Sequence, residues 1–269
     1  MGNIPDLRNA IYLPLISIGL FFGILVLLNV GRALGKRRLQ RFPEKANVGL
    51  GAVDGSVYGL LGLLIAFTFS GAAARFDQRR HIIVQEINCI GTAFLRIDLL
   101  PVPTQAALKE QLHKYTALRI QTYQVLPDME KVMDCLAQTE RLQESIWRLA
   151  NAAVRDHPVS PAVTSLVMGS LNEMFDIRTT RTQASMMHPP TIIMFMLVTL
   201  MLISALLTGY ATAEAPSLSW LHALSLATIM SLTFMIMIFM EYPRLGLMSF
   251  EAFDESMVEL LNSMTTARP

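Results

Sequence analysis

Side chains able to ligate metal, carry protons or act as nucleophiles are thinly scattered through this sequence of 269 residues. The five histidines, His81, His113, His157, His188 and His222, lie far apart, and none has a second histidine three or four residues away on the same helical face. No HExxH, CxxC or carboxylate cluster offers metal-ligand spacing, so neither a metal nor another cofactor is expected. No GxSxG elbow presents a serine, and Cys89 and Cys135 have no activating partner nearby in sequence. The segment GLGAVDG at 49–55 carries three glycines. With no strand before it, it reads as a loop feeding Asp54 or Ser56 as a helix cap rather than as a phosphate cradle. The chain is not expected to be an enzyme. An intramembrane enzyme would need buried polar groups that converge in space, which linear spacing does not show.

More informative are the polar residues set inside uncharged runs, where they are costly. Asn29, Tyr58, Thr68, Ser70 and His222 are of this kind. Thr68 and Ser70 either bond their own helix backbone or serve a function; His222 lies near a helix end and reads as interfacial. The runs themselves are residues 11–30, 55–74, 191–213 and 215–240, none of which contains a charge except Glu214 between the last two. About twenty residues of helix cover a hydrocarbon core of roughly 30 Å. Composition agrees: 52% of residues are hydrophobic and 16% charged, against about a quarter charged in soluble proteins. Of the 43 acidic and basic residues, 25 lie between Arg75 and Arg181, which leaves the flanks to the bilayer. A net charge of +1 gives no field for nucleic acid. The first run is too long and its start too weakly basic for a secretory signal.

The elements that follow are helical throughout. We expect an all-α membrane protein with four transmembrane helices in two hairpins and an inserted extramembrane helical domain. Residues 1–74 form the first hairpin, with helices at 11–30 and 55–74. The helical domain occupies 75–187, continuous with the membrane helices. Residues 188–241 form the second hairpin, with helices at 191–213 and 216–240, and 242–269 are a C-terminal tail. Gly19–Gly23 and Gly31–Gly35 have the spacing of close helix packing. Met194, Met196, Met201, Met230, Met235, Met237 and Met240 read as lipid-facing or packing filler.

Beyond Arg75 no Gly or Pro interrupts the chain until Gly91, and Phe76, Ile83, Ile87, Ile90, Phe94 and Ile97 repeat at spacings of seven, four, three, four and three. That is a coiled-coil-like seam, which packs on another helix within the chain or in a neighbouring copy. Pro101 and Pro103 break it. Thr104 is the expected cap of a helix with Leu108, Leu112, Tyr115 and Leu118 on one face and a Glu110–Lys114 pair outside. Asp128 caps a helix carrying Met129, Val132, Leu136, Leu142, Ile146 and Leu149. Ser160-Pro161 starts another, through Val163, Val167, Leu171 and Met174 to about Met187. His188-Pro189-Pro190 marks the return to the membrane.

Charge counting does not orient the protein. Arg32, Lys36, Arg37, Arg38, Arg41 and Lys45 lie in one loop, and Arg8, Arg75, Arg79, Arg80, Arg178, Arg181 and Arg244 oppose them. A Cys89–Cys135 disulfide would place the middle region outside the cell; otherwise both are buried free thiols. The second apolar run combines small residues with bulky ones. Leu63 and Phe67 share a face, with Gly59 and Ser70 or Gly71 in line. Rings of these side chains in an oligomer would form a hydrophobic constriction; the alternative is ordinary helix packing in a bundle.

The stretch Tyr58–Arg80 (YGLLGLLIAFTFSGAAARFDQRR) resembles the second transmembrane helix of the bestrophin channel family. Most of the chain is similar to bacterial membrane proteins described only as bestrophin-like, whose fourth helix is followed by an acidic–Pro–Arg–x–Gly element. Here that element is Glu241, Tyr242, Pro243, Arg244, Leu245 and Gly246. With Arg75 as anchor, the resemblance places the pore constriction at Gly59, Leu63 and Phe67, with Ser70 and Arg75 lining the pore or its junction. It implies a homo-oligomer, a pentamer, in a bacterial plasma membrane, with the helical domain and termini in the cytoplasm. Lipid and small ions are then the partners, with no nucleic acid. The calcium clasp of animal bestrophins has no counterpart, because Glu251, Asp254 and Glu255 are too sparse, and only Phe76 remains of the aromatic residues after the arginine. Two readings of function follow. One is an oligomeric ion channel-like protein whose second helix lines the pore and whose Ile83–Ile97 seam joins subunits or hairpins. The other is a non-conducting membrane scaffold or sensor whose helical domain binds a protein partner.

Overall fold

A computed structural model describes the backbone of residues 12–42, 50–126, 128–216, 219–243 and 251–266. Among these residues the chain forms α1 (Tyr12–Arg41), α2 (Leu50–Arg96), α3 (Val102–Gln124), α4 (Met129–Asp156), α5 (Pro161–Met186), α6 (Thr191–Ala211), α7 (Trp220–Glu241) and α8 (Glu251–Thr266). Short 3-10 turns occupy Ile97–Leu99 and Thr212–Glu214, and the described residues contain no strand. Four stretches, carried by α1, α2, α6 and α7, are long and apolar enough to cross a membrane. The chain divides into two compact units. One holds α1, α2 up to Phe76, α6 and α7; the other holds α2 from Asp77, α3, α4, α5 and α8.

Several boundaries differ from the expected ones. Helix α2 begins at Leu50, so residues 51–55 are already helical and cap nothing. Ser56 Oγ donates back to the Ala52 carbonyl at 2.9 Å, as serines inside helices do. Thr104 is not a cap either: α3 starts at Val102, and both the Thr104 amide and its hydroxyl donate to the Pro101 carbonyl at 2.9 and 2.8 Å. The fixed φ of Pro103 suits the first helical turn, which draws the start forward. Asp128 and Ser160 do cap, accepting from the Lys131 and Val163 amides. The segment described as a tail contains α8, whose Met257 and Met264 are buried. Their seven-residue spacing, with Leu260 between them, is the apolar row that orders it.

In the membrane unit, Leu20, Ile24, Leu61, Leu197, Met201, Ala205, Ala227, Phe234 and Met237 form the core. Helices α1 and α6 meet through glycine on both sides. A Cβ on Gly31 would overlap the Leu206 carbonyl, and one on Gly209 would overlap the Leu28 carbonyl. Gly35 sits against Ala213 and Tyr210 in the same way. Backbones this close gain dispersion contacts that side chains would prevent, which is what holds helices together in lipid. Of the pairs Gly19–Gly23 and Gly31–Gly35, only the latter meets α6 backbone and the turn after it; Gly19 has nothing within 4 Å, and Gly23 meets only the Leu202 side chain, at 3.2 Å. Arg32 Nη2 donates to the Ala215 carbonyl at 2.7 Å and Arg38 Nη1 to the Tyr210 hydroxyl at 2.6 Å, so the basic end of α1 also closes the turn after α6. Leu15, Phe22, Val26, Ile192, Phe195 and Trp220 point outward, an apolar surface suited to lipid.

In the helical unit, Ile90, Phe94 and Ile97 pack on Leu108, Leu112, Tyr115, Ile146, Val167, Leu171 and Met174. The seam therefore closes against its own chain there.

Gly31→Leu should lower stability by at least the ~1–3 kcal/mol typical of overpacking, read as a reduced unfolding midpoint in detergent. Gly19→Ala, made in open space on the same helix, should leave the midpoint unchanged or raise it slightly. Equal effects at the two positions would contradict the close α1–α6 contact.

Candidate functional site

Helix α2 has two unlike faces within the membrane unit. Leu61, Thr68 and Ala72 are buried and Leu64 and Ile65 pack beside them. Thr68 spends its hydroxyl on the Leu64 carbonyl at 2.6 Å. On the opposite side, at spacings of four, four and three, Gly59, Leu63, Phe67 and Ser70 are all exposed, Leu63 by 53% and Phe67 by 69%. Apart from the two bulky side chains this face is small. Gly55, Gly59 and Gly62 have no atom within 4 Å of a would-be Cβ. Outward positions on α1, α6 and α7 are instead mostly large and apolar.

Two polar contacts fasten α2 to its neighbours. Tyr58 shares a hydrogen bond of 3.0 Å with Thr208 on α6. At the other end of the apolar stretch, Arg75 donates through Nε and Nη2 to Oε1 of Glu241, at 2.8 and 2.5 Å. Glu241 is buried, and its second oxygen faces His188 Nδ1 at 3.6 Å. The His188 ring stacks on Tyr242 with centroids 4.5 Å apart. The resemblance places Arg75 at a pore junction, and the structure pairs it with Glu241 at the end of α7. A signal existed: Arg75 and Glu241 are each the first charge after a long apolar run, and their signs are opposite.

The helical unit holds a second buried charge cluster. Glu86 on α2 lies between two arginines, accepting from Arg119 Nε on α3 at 2.6 Å and from Arg181 Nη1 on α5 at 2.5 Å. Arg119 Nη2 donates onward to the Tyr123 hydroxyl, and the Arg181 guanidinium lies over the Tyr123 ring at 3.8 Å. Burial by itself would raise the Glu86 carboxyl, but the attraction and hydrogen bonds of the two guanidiniums outweigh it and hold the pKa below the ordinary value. Arg79, one helical repeat earlier, donates to the Ala184 and Met187 carbonyls at 3.2 and 2.7 Å and so caps the end of α5. Of the seam residues, Ile83, Ile90, Phe94 and Ile97 are buried and Ile87 is half-buried. A second row beside the seam, Ala72, Arg79, Glu86, Ala93 and Leu100, is buried at every seventh position. Arg119 likewise continues the Leu108–Leu112–Tyr115 spacing. Charges in core register were the readable sign of an internal network.

Cys89 and Cys135 are free thiols. Burial, then the carboxylates of Glu173 and Glu86, push the Cys89 pKa up, which makes it a poor nucleophile. Among the described residues no group of His, Cys, Asp or Glu could hold a metal ion.

The bestrophin-like domain matches residues 17–251. The chain belongs to the bestrophin-like family. No curated protein matches it. Among solved structures, a bacterial bestrophin homologue from Klebsiella pneumoniae in a single-substitution form superposes with a TM-score of 0.68 at 15% identity, covering 93% of this chain and 98% of that one. A second structure of the Klebsiella homologue gives 0.68 at 15% identity, with 91% and 98% covered. A further structure described only as a membrane protein gives 0.70 at 14% identity, with 93% and 99% covered. The fold of this bestrophin-like chain is thus the bestrophin fold over nearly its whole length.

Glu86→Gln leaves two buried guanidiniums without their counter-charge and should cost about 3–5 kcal/mol at neutral pH. Because the folded-state pKa is depressed, the stabilisation is present above the unfolded carboxyl value of about 4.3 and is lost as pH falls through the folded one. Unfolding midpoints measured from pH 7 downward should therefore show the gap between wild type and variant closing only in acid. A gap that is constant with pH would contradict this.

Proposed function

We propose that this bestrophin-like protein is an oligomeric ion channel-like protein of a bacterial plasma membrane, a pentamer in which α2 of each subunit lines a central pore. Gly59, Leu63 and Phe67 form the constriction, and Ser70 and Arg75 line the pore or its junction. The single observation that carries this reading is the bare face of α2. A face meant for lipid gains nothing from glycine, whereas a face that surrounds a narrow conduit needs small residues for width and a few bulky ones for a gate. With Leu63 and Phe67 repeated around an axis, such a gate excludes water by dewetting, and small ions pass when it widens. The bestrophin resemblance of Tyr58–Arg80 supports the oligomer and favours a cytoplasmic helical unit, which charge counting alone leaves balanced.

The Arg75–Glu241 pair then serves the pore helix mechanically. It ties the end of the pore-lining stretch to α7, so that α2 is held by its ends and by its buried face while the opposite face stays free.

Purified protein in liposomes should pass small ions. Phe67→Ala should raise the flux several-fold, and Phe195→Ala on α6 should leave it unchanged. The two rings are almost equally exposed in the subunit, 69% and 67%, so the pair separates a pore position from a lipid-facing one. Silence of both wild type and Phe67→Ala under varied voltage, pH and calcium would rule out conduction and leave a non-conducting scaffold.

A further inference from the structure

Helix α1 carries a continuous exposed stripe. Leu15, Ile18, Phe22, Val26, Val30 and Leu34 follow one another at spacings of three or four residues, each between 42% and 59% exposed. Arg37 and Arg41 continue the same row by three and then four residues, and both are exposed. At about 1.5 Å per residue the apolar part rises about 28 Å from Leu15 to Leu34, close to a hydrocarbon thickness of roughly 30 Å. Arg37 and Arg41 then stand about 4.5 Å and about 10.5 Å past its end. The polar layer on each face of a bilayer is about 5–7 Å deep. Arg37 lies within that layer, and Arg41 reaches back into it along its flexible stem.

The basic end of α1 is divided between two tasks. Arg32 and Arg38 turn toward α6, donating to the Ala215 carbonyl and the Tyr210 hydroxyl. Glu214, the acid of the turn after α6, lines a shallow cleft with Gly35, Arg38 and Tyr210 on that same side. Arg37 and Arg41 lie on the side of the helix away from Gly35. Among the described residues neither they nor Lys36 forms an ion pair. Arginines one helical turn apart can share one phosphate, because their side chains are neighbours and each planar fork matches its oxygens in pairs. This charge pattern separates one lipid class from another. A zwitterionic headgroup brings an ammonium as well as a phosphate, and the stripe offers that ammonium no carboxylate. A headgroup of net negative charge meets only its complement.

We propose that Arg37 and Arg41 bind the phosphate of an anionic phospholipid whose acyl chain lies along Val26, Val30 and Leu34. The site belongs to α1 and stands whether or not α2 conducts.

The unfolding midpoint of the purified full chain in neutral detergent reads this directly, because a ligand that binds the folded state raises it. Dioleoyl phosphatidylglycerol should raise the midpoint at a concentration at least tenfold below that needed of dioleoyl phosphatidylcholine, and soluble glycerol 1-phosphate should leave it unchanged. Each arginine beside an anionic headgroup strengthens binding about fivefold. The double variant Arg37→Gln, Arg41→Gln should therefore need about twenty-five-fold more phosphatidylglycerol for the same rise. Arg141→Gln with Arg148→Gln, which removes the same charge from exposed positions of α4, should keep the wild-type response. Equal responses of the wild type to the two lipids would overturn the proposal, and that outcome does not depend on any variant folding. A rise with glycerol 1-phosphate would overturn it in favour of a free-anion site, and equal losses in the two double variants would overturn it in favour of general charge attraction. A phosphatidylglycerol response unchanged by Arg37→Gln with Arg41→Gln would also overturn it. So would imaging in nanodiscs that shows a second copy of the chain, rather than an acyl chain, against Val26, Val30 and Leu34.

Discussion

The side of α2 that carries Gly59, Leu63, Phe67 and Ser70 finds no cover among the described residues of its own chain, although the opposite side is buried at Leu61, Thr68 and Ala72. Apolar surface exposed to water is penalised at about 25 cal/mol per Å2. A bilayer or a neighbouring copy removes that penalty. The rest of the membrane unit is arranged so that this side remains free. Helices α1 and α6 close on one another through Gly31, Gly35 and Gly209, at backbone distance, and need no help from α2. Helix α2 then leans on that pair through a few side chains, Leu61, Leu64 and Ile65, and is fixed by Tyr58 at one end and Arg75 at the other.

Burial of charge follows a matching logic. Removing a carboxylate or guanidinium from water costs several kcal/mol, so each needs a partner of opposite sign or a set of hydrogen bonds. Glu241 meets Arg75, and Glu86 meets Arg119 and Arg181. Arg79 meets the open carbonyls at the end of α5. Three of these groups, Arg75, Arg79 and Glu86, ride on the same helix. One long element thus brings positive, positive and negative charge to three different partners, and a register shift of one residue would strand all of them. Such networks add little net stability over a well-packed apolar core, but each fixes which residues face which.

How far the sequence revealed this depended on whether a feature is periodic. Uncharged runs and heptad spacing are, so the four spans, the Ile83–Ile97 row and the caps at Asp128 and Ser160 could be read directly. The starts of α2 and α3 could not, because glycine and proline there allow either a loop or a first helical turn, and only the neighbouring structure chooses. Helix α8 was hidden in a segment that looks polar residue by residue, although Met257 and Met264 keep core spacing. Pairings such as Arg75 with Glu241 join residues far apart in sequence, and each partner is marked locally only as the first charge after an apolar run. What the sequence does hold is the half-signal: a charge in a core register, such as Glu86 or Arg119, announces a partner without naming it. The resemblance in Tyr58–Arg80 supplied the family, and the family match over 17–251 agrees with it.

The position of α2 in the assembled protein separates a pore-lining helix from a lipid-facing one. Single-particle imaging of the detergent-solubilised full chain decides it: we expect five-fold symmetry with five copies of α2 around a central axis and Leu63 and Phe67 turned inward. A monomer or dimer, or a ring in which α2 lies at the periphery with Phe67 against lipid, would contradict it.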